Sequence, residues 1–349
     1  MKLRSLHIED YKVFKDFDID FLDSDDKPLY VVVLAGVNGS GKTTLFECLY
    51  RLTIFKNDFV KIVRTRKTEG LEKFDSESLF ITETVKIIKG ISGFKEDYHI
   101  YKKHIAYIPA GINNIADVES EFVKYWYNLV KFHNKRNDEI TEALQKFIKD
   151  TFDGLELSIT YSHIDEDDNI YFQNKNNEKF KINQLSTGEK TLLSKVLYLF
   201  FQDYKDKVIL IDEPELSLHP SWQNKVLKIY ENFAKANNCQ VIIATHSPHI
   251  IASADNKYIR FLEKDQEGKI SVINDIQAYG RDIEWVLEQM GVKNLRATEV
   301  LEKFIHCQKL LNDEKYDKAE ICINDLEEEI GQNDKQIMNL RNSLFFERD

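Results

Sequence analysis

PLYVVVLAGVNGSGKTTLFECLYRLTI, residues 28–54, holds three local patterns in one stretch of chain. Residues 28–36 form a continuous apolar run of strand length ending in glycine, as expected of a strand buried on both faces of a parallel sheet. Residues 42–54 carry apolar side chains at helical spacing. Between the two, Gly36 to Thr43 match the pattern G-x-x-x-x-G-K-[ST] in full. Small residues there let the backbone curl so that its N–H groups point inward, and the helix N-terminus adds a partial positive charge. Gly36, Asn38, Gly39, Ser40, Gly41, Lys42, Thr43 and Thr44 are therefore expected to cradle a nucleoside triphosphate. In that cradle Lys42 reaches the β- and γ-phosphates and the Thr43 hydroxyl holds Mg²⁺.

Further along, VILIDEPE, residues 208–215, is a second buried strand with an acidic pair at its end. Asp212 is placed to orient a water on Mg²⁺, and Glu213 to accept a proton from an attacking water. A third apolar strand, in VIIATHSP at 241–248, ends in His246. QLSTGEK, residues 184–190, opens a long apolar helix with Ser186 as N-cap and Glu189 three residues on. The spacing predicts strands at 2–8, 17–21, 79–88 and 98–108, the last two around a turn at Gly90 to Gly93. It predicts helices over 119–150, 190–203, 220–236 and 247–253, strands at 207–211 and 240–244, and a hairpin over 155–172 that turns on DEDDN. Such alternation is α/β, with a mostly parallel central sheet and an antiparallel N-terminal portion.

Order and spacing add a family resemblance. Ser186 lies 26 residues before Asp212 and His246 lies 34 after it. The four motifs together resemble the phosphate loop, signature motif, acidic pair and switch histidine of the ABC ATPase superfamily. The opening LRSLHIEDYKVFKDF resembles the start of RecF, SMC and OLD-type ATPases. DEPELSLHP, residues 212–220, is similar to the hallmark of the OLD-like branch of AAA/ABC ATPases found in DNA repair and phage defence, where a transporter ATPase would carry an EP-T-SALD type string.

What the resemblance implies is specific. It covers roughly residues 1–285 and implies a P-loop NTPase head of ABC type that binds ATP and Mg²⁺, with a lateral helical and hairpin lobe at about 56–180. Thr43 and Asp212 would serve the metal, with Lys42, Glu213 and His246 catalytic. Ser186, Gly188 and Glu189 would face the ATP of a partner subunit, so that two heads close head to tail as a dimer around two Mg-ATP. Only 141 residues separate Lys42 from Gln184, too few for the long arms of SMC-type proteins, and no DxD cluster follows His246, so a TOPRIM nuclease is not expected. The arrangement resembles Septu and retron-associated anti-phage ATPases, and more loosely the PARIS ATPase, which act with a separately encoded effector such as a nuclease. A RecF-like repair ATPase that clamps DNA is the alternative. No glutamine occurs between Leu45 and Leu144, so the Q-loop equivalent is unassigned, with IAYIPAG around Pro109 in that region.

Composition bounds the rest. The chain of 349 residues is 42% apolar, enough to bury a core, and its net charge of −11 argues against coating nucleic acid by bulk electrostatics. Residues 282–349 hold 16 acidic and 9 basic side chains, so the acid is concentrated in the tail, which includes an acidic C-terminal extension, residues 286–349. That extension shows three amphipathic helices, marked by Val300 to Leu311, Tyr316 to Ile330 and Ile337 to Leu344. It suits a bundle that caps the head or a docking surface for a partner protein. Lys61, Arg64, Arg66 and Lys67 form the one basic run suited to phosphate contacts with DNA, and equally a solvated loop. Cys48, Cys239, Cys307 and Cys322 make no CxxC pair and have no histidine at metal spacing, so a reducing, cytoplasmic location without structural zinc is expected. With no 18-residue apolar stretch and a charged N-terminus, the chain is expected neither to be exported nor to span a membrane.

Overall fold

A computed structural model describes residues 2–51, 61–62, 82–88, 104–110, 115–152, 159–201, 204–274, 276–292 and 296–348. The chain opens with β1 (Lys2–Tyr11) and β2 (Phe14–Asp20), antiparallel with His7 opposite Asp18. β3 (Val31–Ala35) then enters the core with every residue buried and leads through the glycine loop to α1 (Lys42–Arg51). β4 (Lys61–Ile62), β5 (Thr82–Ile88) and β6 (Ile105–Ile108) follow, and then α2 (Ile115–His133) and α3 (Asn137–Thr151). Asn134, at φ 48°, stands between the two helices, a left-handed position that asparagine tolerates and a continuous helix cannot. β7 (Thr160–Ile164) and β8 (Ile170–Gln173) form the hairpin expected on DEDDN, its turn fastened by Asp165, and β9 (Lys179–Lys181) extends it.

The second half alternates strand and helix. It runs α4 (Thr187–Phe201), β10 (Val208–Asp212), α5 (Pro220–Ala236), β11 (Gln240–Ala244), α6 (Pro248–Ser253), β12 (Ile259–Lys264), β13 (Ile270–Ile273) and α7 (Ile283–Gln289). α5 and α6 each begin with proline in the first turn, where the missing N–H costs nothing, behind His219 and Ser247 as N-caps. The last elements are α8 (Thr298–Asn312), α9 (Tyr316–Ile330) and α10 (Lys335–Arg348), with α9 ending at Gly331 in a positive-φ conformation.

Six strands form the central sheet in the order β13-β12-β3-β11-β10-β6, with every pairing parallel except β12 with β13. β3, β10 and β11 are buried along their whole length, as their apolar runs Val31–Ala35, Val208–Ile211 and Val241–Ala244 require. The fold is thus a P-loop ATPase α/β fold, and the order β3-β11-β10 brings the C-terminal ends of the three motif-bearing strands side by side. A second sheet runs β2-β1-β5-β4. Gln240, wholly buried, laces the two sheets together. It accepts the Leu3 N–H at 2.7 Å and donates to Leu3 O and Leu29 O, each at 3.1 Å.

One expectation is corrected. The strand patterns at 79–88 and 98–108 are not neighbours around a turn: β5 pairs in parallel with β1 in the N-terminal sheet, while β6 lies parallel to β10 at the edge of the central sheet. Hydrophobic alternation tells which face of a strand is buried and is silent on which strand lies beside it. The expected turn at Gly90 to Gly93 lies outside the described residues, as do Arg64, Arg66 and Lys67, while Lys61 begins β4.

The chain divides into two compact units, residues 1–286 and 287–349. The second has its own core, in which Phe304 and Leu311 meet Ala319, Ile323 and Leu326 and then Ile337, Leu340 and Leu344. The absence of a CxxC pair gave no hint of the bond found there: Cys307 on α8 is joined to Cys322 on α9, because the short α8–α9 turn folds the two helices back on one another. Cys48 and Cys239 are free and buried. Among the described residues no helix is long and apolar enough to cross a membrane.

Candidate functional site

The loop after β3 works through its backbone. Gly36 sits at φ 147°, where a Cβ would lie 2.6 Å from Leu262 O and 2.7 Å from Ser40 Oγ. Gly41 sits at φ 94°, where a Cβ would lie 2.8 Å from Ile270 Cδ1 and 2.9 Å from Phe14 Cζ. Neither position has room for a side chain, so the loop is held tightly between β12, β13 and the β1–β2 hairpin. Above Gly39, by contrast, a Cβ would meet nothing within 4 Å, which leaves that side of the loop open. Asn38 lies exposed on this open side, and Thr44 is half-buried at the start of α1.

Lys42 is only 7% exposed, and its ammonium donates to Gly36 O at 2.7 Å and Val37 O at 3.0 Å, with Ser40 Oγ at 3.4 Å. Burial lowers its pKa, and the nearby carboxylates of Glu213, Asp212 and Glu215 oppose that shift. The cation is thus parked on carbonyls of its own loop at the place where phosphate oxygens would accept from it.

Opposite lies the end of β10. Asp212 is 5% exposed, accepts the Thr43 hydroxyl at 3.5 Å on one oxygen and the Tyr107 hydroxyl at 3.2 Å on the other, and has its pKa raised by burial. Tyr107, from β6, is itself pushed up to about 12, first by burial and then by Asp212. Thr43 and Asp212 together offer the hard oxygen donors that Mg²⁺ takes. Glu213 follows in a left-handed backbone conformation, φ 45°, with its N–H donating to Ala244 O at 2.8 Å. Its Oε1 lies 3.2 Å from His246 Nδ1, an ion pair when the imidazole is protonated. The Thr245 N–H reaches Leu34 O at 3.0 Å, so the ends of β3, β11 and β10 are tied into one rim.

The structure therefore gathers Lys42, Thr43, Asp212, Glu213 and His246 at the adjoining ends of β3, β10 and β11. Ser186, Gly188 and Glu189 stand apart from that group, and among the described residues they share no hydrogen bond or ion pair with it. They form the capped start of α4, with Ser186 Oγ donating to Glu189 Oε2 at 2.6 Å, and Gly188 packed beside Trp222. A cleft of about 660 Å³ runs along this helix start, where Ser186 and Glu189 face Phe180, Trp222 and Lys225.

Sequence reasoning passed over three residues that shape the rim. Tyr107 holds Asp212, as above. Glu215, 6% exposed, accepts the Thr245 hydroxyl at 2.6 Å and the backbone N–H groups of His246 and Ser247, both at 3.1 Å. It clamps the turn that presents His246, and its signal was a third acid, set between proline and leucine after the Asp212–Glu213 pair. Lys195, on α4, donates to Pro214 O and Leu216 O, and burial lowers its pKa to about 8. Nothing in the helical pattern marks it out from a solvent-facing lysine.

A family model described as "AAA domain, putative AbiEii toxin, Type IV TA system" matches residues 31–252. The Septu protein PtuA of Bacillus thuringiensis is 27% identical over 219 residues, which cover 57% of this chain and 54% of that protein. The "Retron Vc95 probable ATPase" of Vibrio cholerae serotype O1 biovar El Tor is 27% identical over 242 residues, 61% of this chain and 45% of its own. The chain spans about half the length of these two relatives. An SMC head domain from Thermotoga maritima superposes with a TM-score of 0.48 and 16% identity, covering 78% of this chain and 98% of that one.

Proposed function

The chain belongs to the AAA domain family whose model spans residues 31–252, and from that premise we propose that it is an ATP-hydrolysing switch subunit of a prokaryotic anti-phage defence system. The observation that carries the reading is the convergence of Lys42, Thr43, Asp212, Glu213 and His246 on one rim of strand ends. The likeness to a Septu protein and a retron ATPase supports the defence setting.

In this reading the loop amides and the Lys42 ammonium bind the triphosphate, Lys42 leaving the Gly36 and Val37 carbonyls for phosphate oxygens. Thr43 and Asp212 hold Mg²⁺, which neutralises charge that develops on the phosphates. Glu213 takes the proton of the attacking water, and His246, fixed by Glu215, faces the γ-phosphate. Ser186, Gly188 and Glu189 face the ATP of a second head, so that the hydrolysing form is a head-to-tail dimer of the 1–285 heads, and the 286–349 extension is available to a separately encoded effector such as a nuclease.

Phosphate release by the purified protein tests the chemistry. Glu213→Gln should lower kcat by about 10²-fold or more while ATP still binds, the range for loss of a general base. Equal, slow hydrolysis by wild type and Glu213→Gln would leave ATP as structural glue and sink the enzymatic reading. Native mass spectrometry of Glu213→Gln purified with its neighbouring gene products tests the setting: an ATP-loaded assembly with a stoichiometric effector is expected, whereas an ATP-bound dimer retaining DNA would favour a repair clamp.

A further inference from the structure

Two successive turns follow β10. The Leu216 N–H donates to Glu213 O at 3.1 Å and the Leu218 N–H to Glu215 O at 2.9 Å. The carbonyls of Pro214 and Leu216 are left over, and among the described residues no backbone N–H reaches either. Both are taken by one cation: Lys195 Nζ donates to Pro214 O at 2.6 Å and to Leu216 O at 3.2 Å. All four carbonyls from Glu213 to Leu216 are thereby paired, two by the turns and two by Lys195.

A partly desolvated ammonium is costly at a helix position flanked by buried Ser194, Val196 and Leu197. What the cation secures is the loop. Glu213 at φ 45° and Ser217 at φ 66° both hold left-handed backbone, each disfavoured for a side-chain-bearing residue by about 1–2 kcal/mol, so the segment needs an outside constraint. β11 and the turn after it supply part of that constraint, through Ala244 O and the groups bound by Glu215, and α4, the helix whose N-terminus is the Ser186–Glu189 cap, supplies the rest through Lys195. At 1.5 Å per residue, Lys195 stands roughly 13 Å along it from Ser186.

We infer that Lys195 is a positioning residue for hydrolysis: through its bonds to Pro214 O and Leu216 O it fixes the loop that carries Glu213 to α4, so that displacement of the Ser186 end of the helix moves the general base. This rests on the ATPase reading above and adds to it a route, within one subunit, from the face turned to a partner's nucleotide to the subunit's own catalytic carboxylate.

The test uses the full chain with Lys195→Met, which keeps the stem and removes the donors, and Lys195→Arg, which keeps a cation and donors. Hydrogen exchange without nucleotide is read at the amides of Glu215 to His219. Lys195→Met should speed exchange there by 10-fold or more, leave β10 and β11 within 2-fold of wild type, and be largely reversed by Lys195→Arg. In steady state Lys195→Met should lower kcat by 10-fold or more with KM for ATP within about 3-fold. Unchanged exchange in the loop, or a loss of protection spread evenly over β10, β11 and α4, would overturn the inference, as would equal loss of kcat and ATP affinity. If Lys195→Met does not fold, Lys195→Gln, with a shorter single amide donor, is read in the same way. Should wild type fail to hydrolyse ATP, the functional reading fails while the nucleotide-free exchange still decides whether Lys195 holds the loop.

Discussion

At the scale of single residues, the three motif glycines are not equivalent. Gly41 lies against Phe14 and Ile270, whereas Gly39 faces open space. Gly41→Ala should therefore destabilise the unliganded protein by about 2–4 kcal/mol, through both positive φ and overpacking, and Gly39→Ala by only about 1 kcal/mol through φ alone. Thermal unfolding without nucleotide distinguishes them, and equal losses would mean that the packing around Gly41 gives way more easily than its contacts imply. The same contrast shows how far a motif can be read. G-x-x-x-x-G-K-[ST] marks Lys42 and Thr43 because their chemistry needs those residue types in that order. It says nothing of Tyr107, Lys195 or Glu215, which reach the site from β6, α4 and the loop after β10 through contacts that only folding creates.

At the scale of elements, what was legible was whatever had to be buried on both faces. β3 is apolar throughout, β10 up to Asp212 and β11 after Gln240, so their place at the centre of a parallel sheet followed from hydrophobicity. The hairpin on DEDDN was legible because Asp165 and Asn169 make a local turn that needs no distant partner. Partnership across the chain was not legible: β5 and β6 share a neighbourhood in sequence and lie in different sheets, and β12 and β13, which complete the sheet, went unassigned because β12 is a short run broken by the buried Arg260 and β13 has four residues. Gln240 is the extreme case, a polar residue inside an apolar strand whose reason is the other sheet. Gln240→Leu should cost about 2–4 kcal/mol in urea unfolding, because the Leu3 amide and the Leu3 and Leu29 carbonyls lose a buried partner. A variant as stable as wild type would show that the two sheets are held by apolar contact alone.

For the whole molecule, the two units respond to different chemistry. Cys48 and Cys239 lie buried, with their thiols pushed up to about 12 chiefly by burial, and so resist alkylation in the native state. Cys307 and Cys322, bonded across a separation of 15 residues, should be alkylated only after reduction, and reduction should weaken the 287–349 unit by about 3 kcal/mol while sparing residues 1–286. Mass mapping of alkylated peptides with and without reductant checks both statements, and labelling of either cysteine before reduction would remove the bond from the native molecule. A different tension runs through the first unit. The conformation that presents the Glu213 carboxylate is one that glycine adopts without penalty. Glu213→Gly should accordingly fold at least as stably as wild type, as seen in its melting temperature, while losing the base proposed for hydrolysis. Selection for robustness and selection for turnover then pull in opposite directions at this position. Under the proposed function, a thermostability screen of variants of this chain would be drawn toward proteins that bind ATP and cannot hydrolyse it.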